Sequence, residues 1–343
     1  MTERTLSQRH LNRALLARQL LLERSTLSIA EAVDRVAGLQ TQYAPSGYVG
    51  LWTRLAGFRR DALTQALEDR TVVQASLMRV TIHVVSAHEY WRYAVGVRQA
   101  RRRMVLRLSG PAADEAGMIE AAEQLRAALA DGPRSVKELG GLAAGFVGSL
   151  GLWVDLVRVP PTGTWGRRRA DLLGLAEQWV GPCDVSEDEG LVHLVRAYLR
   201  GFGPAPWRDI ASWAGIGVSD ARRGGDGLAL VRYRDEDGRE LVDLGGAELP
   251  DPGTPAPVRF LPHWDANLLV HARRAGILPE PYRARVFSSR NPFSVGTYLV
   301  DGRVVGAWSV REGRIDLDPF ESLEARDQRA VDDERDALEA FHQ

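Results

Sequence analysis

The run Val72-Val73-Gln74-Ala75-Ser76-Leu77-Met78-Arg79-Val80-Thr81-Ile82-His83-Val84-Val85 limits the fold more than any other stretch. It is rich in β-branched residues and broken in the middle, which predicts a β-hairpin. The chain before it is helical. Leu6, Leu11, Leu15, Leu16, Leu20 and Leu22 recur at roughly helical spacing, with Ser7 as an N-cap. A second helix is expected from about Ser28 to Gln40, burying Ile29, Val33, Val36 and Leu39, with Ser28 and Glu31 as a capping box. A third follows Pro45 through Leu55, and Asp61 is expected to cap a short helix carrying Leu63, Ala66 and Leu67. Helices that end in a hairpin follow the plan of a winged helix, with the hairpin as the wing.

The plan repeats. Glu89 to Leu108 reads as a basic helix carrying Arg92, Arg98, Arg101, Arg102, Arg103 and Arg107. A helix from Ala112 to Leu129 and the turn before Ser135-Val136-Lys137-Glu138-Leu139 open a second unit. Leu156 to Val159, Pro160-Pro161-Thr162-Gly163-Thr164-Trp165 and Gly166-Arg167-Arg168-Arg169 then read as its wing. Leu191 to Leu199, Pro206 to Gly215 and a hairpin from Leu228 to Leu244 form a third, with Trp207 and Trp213 as core and an acidic tip at Asp235-Glu236-Asp237-Gly238. A Pro/Gly-rich linker, Ala247 to Pro257, leads to a β-rich piece whose Asp301-Gly302 pair lies between alternating strands, a strong hairpin signal. The tail from Asp327 reads as an acidic, solvated helix. The expected fold is mainly α with β-hairpin wings (α+β), built from tandem winged helix-turn-helix modules at 1–110, 111–186 and 187–246, with a small β-rich subdomain at 247–343.

A chain of 343 residues supports several modules rather than one core. No run of about 18 apolar residues exists to span a membrane, and the N-terminus has no apolar signal segment; a cytoplasmic protein is expected. One cysteine, Cys183, leaves no internal disulfide and no cysteine zinc site. The seven histidines do not pair at metal-ligand spacing. The net charge of −1 hides an asymmetry: residues 1–110 carry 17 Arg against 8 Asp and Glu. Arg in place of Lys is a compositional habit of this chain, since Lys137 is its sole lysine, but the clustering is not. A basic first module beside an acidic tail suits a polyanion. The arginine run 101–103 and the wing arginines 167–169 are the candidate phosphate contacts, a solvated face and an exposed turn being the plainer readings.

Gly38-Leu39-Gln40-Thr41-Gln42 sets two amides two residues apart where the second helix is expected to end, so that both turn toward one point. Ordinary capping or surface glutamine is the plainer alternative. Glutamine does not titrate near neutral pH, but it orients water. No phosphate-binding glycine loop, His-Glu-x-x-His or Gly-x-Ser-x-Gly is present.

Gly38-Leu39-Gln40-x-Gln42, followed by Tyr48-Val49-Gly50-Leu51-Trp52-Thr53-Arg54-Leu55, resembles the winged-helix DNA glycosylases of the AlkZ/YcaQ family. So do Leu6-Ser7-x-Arg9, Leu11-Asn12-Arg13, Met78-Arg79-x-Thr81-x-His83, Pro160-Pro161-x-Gly163-Thr164-Trp165 and Asp301-Gly302-Arg303-Val304-Val305-Gly306-x-Trp308. The resemblance implies that Gln40 and Gln42 are the catalytic pair of a Gln-Φ-Gln motif, with Thr41 departing from its aliphatic centre. It implies a monofunctional glycosylase that hydrolyses the N-glycosidic bond of N7-alkylated purines and unhooks interstrand crosslinks, needing no cofactor or metal. The expected partner is double-stranded DNA bearing alkylated purines, met by a monomer through Arg79, His83, Arg101, Arg102, Arg103, Arg167, Arg168 and Arg169. His83 reads equally as a core histidine. Asp265 reads as the partner of an arginine or, less well, as a group facing the site. The rivals are a non-catalytic winged-helix regulator on the same scaffold and a self-resistance protein that sequesters a DNA-alkylating compound.

Overall fold

The computed structural model describes residues 4–109, 115–140, 153–269, 276–287 and 294–343. Capping fixes the first helices where the sequence places them. Strand β1 (Arg4–Leu6) precedes α1 (Gln8–Arg18), whose N-cap Ser7 accepts from the His10 N–H, and Ser28 and Glu31 close the capping box of α2 (Ile29–Arg35).

The second helix is shorter than expected. Ala37 and Gly38 both adopt positive φ, and the N–H groups of Gly38 and Ala37 donate to the carbonyls of Val33 and Asp34. This is a Schellman ending. It releases the chain into a two-residue strand, β2 (Leu39–Gln40), so Gln40 lies on a strand and not at a helix end. Helices α3 (Pro45–Trp52) and α4 (Arg60–Glu68) follow. Asp61 sits in the first turn of α4 but does not cap it; its carboxylate pairs with Arg59, the residue at the N-cap. The expected hairpin is formed by β3 (Val72–Ser76) and β4 (Ile82–Ser86), and the basic helix α5 (Tyr90–Ser109) runs on from it.

The next unit contributes α6 (Glu115–Ala128), β5 (Arg134–Ser135), α7 (Val136–Leu139), β6 (Leu156–Arg158), β7 (Leu172–Leu175) and α8 (Ala176–Val180). The predicted helix start at Ala112 lies outside the described residues. The two hairpins are not separate wings. Gln74 pairs with Arg158 and Ala75 with Val157, which fuses both into one six-stranded sheet in the order β2-β4-β3-β6-β7-β5.

Helix α9 (Glu187–Phe202) then packs on α5, and α10 (Trp207–Ala214) and α11 (Val218–Gly225) pack on α9. Gly96 and Gly190 set the closest approach: a Cβ on Gly96 would stand 2.6 Å from the Gly190 carbonyl oxygen. Trp213 is sealed in this core, whereas Trp207 is only half-buried. The hairpin β8 (Leu230–Asp235) and β9 (Glu240–Leu244) takes β1 as a parallel third strand. The last piece is a four-stranded antiparallel sheet, β10 (Arg259–Leu261), β11 (Gly296–Val300), β12 (Arg303–Arg311) and β13 (Arg314–Pro319). Asp301 and Gly302 turn between β11 and β12 with φ of 47° and 77°, as an Asp-Gly hairpin requires.

The terminal helix α12 (Ala325–His342) corrects the reading of the tail. Its outer face is acidic, but Val331 and Leu338 are sealed against the sheet, and Phe341 packs against Trp52, Phe58 and Trp165. It is a core element. The C-terminal sheet is also tied to the first helices by ionic contacts with little access to water. Arg54 donates to the Asp265 carboxylate at 2.9 Å with both side chains nearly inaccessible, and Asn267 donates to the same carboxylate at 2.7 Å. Asp265 thus buttresses an arginine.

Candidate active site

Gln40 ends β2, and Gln42 lies in the bend just after it, with Thr41 between the two amides. Leu39 goes to the core on the opposite face with Val84. Gln40 is paired directly across from His83 and is 7% exposed. Its Oε1 accepts from Arg79 Nη2 at 2.7 Å, while Arg79 Nη1 donates to the Trp213 carbonyl. Gln42 is exposed, and its Oε1 takes the Ile82 N–H at 3.2 Å. The two amides therefore flank the first residues of β4.

Thr41, between them, is buried and turned the other way. Its hydroxyl lies 3.4 Å from Gln74 Nε2, which also donates to the Gly163 carbonyl at 3.0 Å. The polar centre of the motif is thus satisfied, and the same side chain ties the motif to the second hairpin. A Cβ on Gly163, at φ of 72°, would stand 2.2 Å from Gln74 Oε1, so the loop reaches this distance only as glycine.

Arg79 occupies the turn of the first hairpin, where it and Val80 both have positive φ. Strained backbone of this kind is held by its surroundings. Burial lowers the Arg79 guanidinium to about 10. Tyr43, next in the chain to Gln42, forms one wall of a cavity of about 440 Å³. Trp165 and Arg168 from the second hairpin, His263 from the turn after β10, Trp308 from β12 and His342 from α12 also line it. Burial pushes the His263 and His342 imidazoles down. Tyr43, Trp165, Arg168, His263, Trp308 and His342 come from five separated stretches of chain.

The sequence pattern described as DNA glycosylase AlkZ-like matches residues 33–341, most of the chain and every site residue named above but His342. The chain belongs to the AlkZ-like DNA glycosylase family. Its enzymatic class is therefore DNA glycosylase, and its substrate is DNA. The fold agrees with that of Streptomyces sahachiroi DNA glycosylase AlkZ, at a TM-score of 0.82 and 20% identity, over 98% of this chain and 97% of the other. No curated protein matches the sequence.

Set against this family, the residues read from sequence as DNA contacts divide into two groups. Arg167, Arg168 and Arg169 are exposed at the second hairpin; Arg168 donates to the Tyr43 hydroxyl at 2.9 Å, and Asp171 lies 3.8 and 3.4 Å from the other two. Arg103 is exposed beside Asp220, and Arg102 is half-buried over the Trp153 ring. These can meet a phosphate. Arg101 cannot: it is 5% exposed, with Nη1 on the Ser76 carbonyl, so it braces β3 against α5. His83 is 2% exposed and Arg79 is committed to Gln40 and Trp213, so neither presents a charge to the DNA backbone. A helical run of arginines has an inner side, and Arg101 is on it.

Asp34, His88 and Glu89 place three ligand atoms within 4.8 Å of one another. Arg200 pairs with Glu89 at 3.0 Å, and His88 lies 3.3 Å from Asp34, so the group reads as an ion-pair cluster rather than a metal site. Among the described residues no helix is long and apolar enough to cross a membrane.

Two buried histidines set a pH dependence. Burial, with Arg79 adding repulsion, lowers His83 from 6.5 to about 3; burial lowers His193 to about 4. The unfolded chain protonates both below about pH 6.5, and the folded chain does not. Stability present above 6.5 is therefore lost as pH falls toward the folded values, approaching about 1.4 kcal/mol per pH unit for each histidine. Burial raises the Asp34 carboxyl to about 7, and its protonation offsets part of this loss, so denaturant midpoints should fall between pH 7 and 5 by less than the two histidines alone would give. A flat profile across that window contradicts the burial of both rings.

Proposed function

We propose that this glycosylase hydrolyses the N-glycosidic bond of N7-alkylated purines, with Gln40 and Gln42 orienting the attacking water. The observation that carries this reading is the pair of amides flanking the start of β4, one locked by Arg79 and the other open to solvent. Alkylation at N7 leaves the base cationic, so no acid need protonate the leaving group. Placing water at C1′ is the remaining task, and positioning supplies much of a barrier of this kind. An amide is sufficient for that task.

The cavity beside Tyr43, lined by neither glutamine but adjoining Gln42 in the chain, gives room for the bulk of a larger N7 adduct, and this supports the wider reading that bulky adducts and interstrand crosslinks are substrates. The helix-hairpin units would act as winged helices on the duplex, Arg167, Arg168 and Arg169 would hold phosphates, and one chain would suffice as a monomer. The test is incubation with two duplexes, one carrying a single 7-methylguanine and one an N7 interstrand crosslink. Alkali-revealed abasic sites from both are expected. Tight DNA binding with no abasic sites from either would leave the regulator.

Arg79 is the residue this reading makes most sensitive outside the motif itself. Its Nη2 fixes which end of the Gln40 amide is the acceptor. Arg79→Lys keeps the charge but not the fork that spans Gln40 and Trp213. A fall of about tenfold or more in single-turnover rate, with unchanged duplex affinity, is the expected result. Lost affinity with an unchanged rate would return Arg79 to phosphate contact.

A further inference from the structure

The hydrogen bonding of His83 fixes its tautomer. Its Nδ1 lies 2.9 Å from the Thr81 carbonyl oxygen, and a carbonyl only accepts. Nδ1 must therefore carry the single proton of the neutral ring, leaving Nε2 as a bare lone pair. That Nε2 takes no partner among the described residues. The ring stays neutral through burial, and Arg79 and Arg101, the charged groups that bear on it, both oppose a second positive charge. His83 also stands directly opposite Gln40 in the antiparallel pair of β2 and β4, which places the two side chains on one face as neighbours.

We propose that His83 is a catalytic residue whose Nε2 accepts a hydrogen bond from the hydrolytic water that Gln40 orients. The proposal rests on the reading of Gln40 given above. A water that attacks C1′ points a lone pair at carbon and gives its two hydrogens to acceptors. Gln40 Oε1 already accepts from Arg79, and its second lone pair is one acceptor. The Gln42 Oε1 accepts from Ile82 at the neighbouring position. The imidazole lone pair supplies a second acceptor stronger than any amide oxygen. As the C1′–N9 bond breaks, its electron pair passes to the purine and cancels the charge that alkylation put there. The water oxygen bonds to C1′, and its surplus proton leaves to solvent, because the buried ring does not retain it.

The test uses two substitutions that separate the nitrogens. His83→Asn keeps an N–H donor for the Thr81 carbonyl and has no atom at Nε2. His83→Gln keeps an acceptor at the distance of Nε2. On a duplex with one 7-methylguanine, His83→Asn is expected to lose ~10²-fold in single-turnover rate, with duplex affinity and melting temperature retained. His83→Gln is expected to recover most of that rate. Wild-type turnover in His83→Asn overturns the proposal, as does a loss shared equally by both variants. Gln40→Ala run in parallel separates the two levels. If it is inactive while His83→Asn is not, only the role of His83 falls; if it is active, the glutamine reading falls as well. Should neither variant fold, the ¹⁵N shifts of His83 in the wild type decide: a proton on Nδ1 and none on Nε2 at pH 7 is required, and the opposite tautomer overturns the assignment.

Discussion

Gln42→Ala is expected to retain the melting temperature and the duplex affinity of the wild type and to lose ~10²-fold or more of its excision rate. Gln42 is exposed, and its one hydrogen bond is to an N–H that water can satisfy in its place. Its removal therefore costs the fold little. Gln40→Ala is expected to lose at least as much activity, with a stability cost of about 1–3 kcal/mol, because Arg79 then keeps a partly buried donor without its acceptor. The contrast between a stability-neutral and a stability-costly loss of the same activity distinguishes a shared chemical role from two structural ones. Single-turnover rates with thermal melts on the same preparations measure both. Full activity in Gln42→Ala would remove the second amide from the chemistry.

Asp265→Ala is the substitution expected to damage the fold most. It strips the carboxylate from Arg54, whose side chain is almost wholly inaccessible, and leaves a charge with no route to water. Breaking a buried pair by removing one partner costs about 3–5 kcal/mol. Arg54 also donates to the Gly50 carbonyl within α3, and Asn267 leans on the same carboxylate, so the loss spreads across the joint between the first helices and the C-terminal sheet. A drop of several degrees in melting temperature is expected, and Arg54→Met with Asp265→Leu together should recover much of it. A single variant as stable as the wild type would show that the pair contributes nothing to that joint.

What was legible in the sequence followed from local rules. The caps at Ser7 and Ser28, the broken β-branched run and the Asp301-Gly302 turn each gave the element that formed, because their signals span only a few neighbouring residues. Gln40 and Gln42 were expected where a helix gives out, whereas Gln40 lies on a strand and Gln42 in the bend that follows it. Leu39 at helical spacing read as the end of α2, whereas the left-handed pair at Ala37 and Gly38 had already stopped it. Non-local facts were not legible. Nothing near Val157 says that it pairs with Ala75, and nothing in an acidic tail says that His342 reaches the cavity. The arginine run gave the correct sum of charge and no means of telling the inward Arg101 from the outward Arg103. Trp165 and His263 lie about a hundred residues apart, and only the fold makes them walls of one space.

The measurement that bears most directly on the account is a single-turnover time course on a duplex carrying one 7-methylguanine, wild type beside Gln42→Ala at equal DNA occupancy. The account predicts alkali-labile abasic sites from the wild type and a rate at least ~10²-fold lower from the variant. Equal rates from the two proteins would contradict it, since DNA glycosylase activity would then proceed without the amide that this account places at the water.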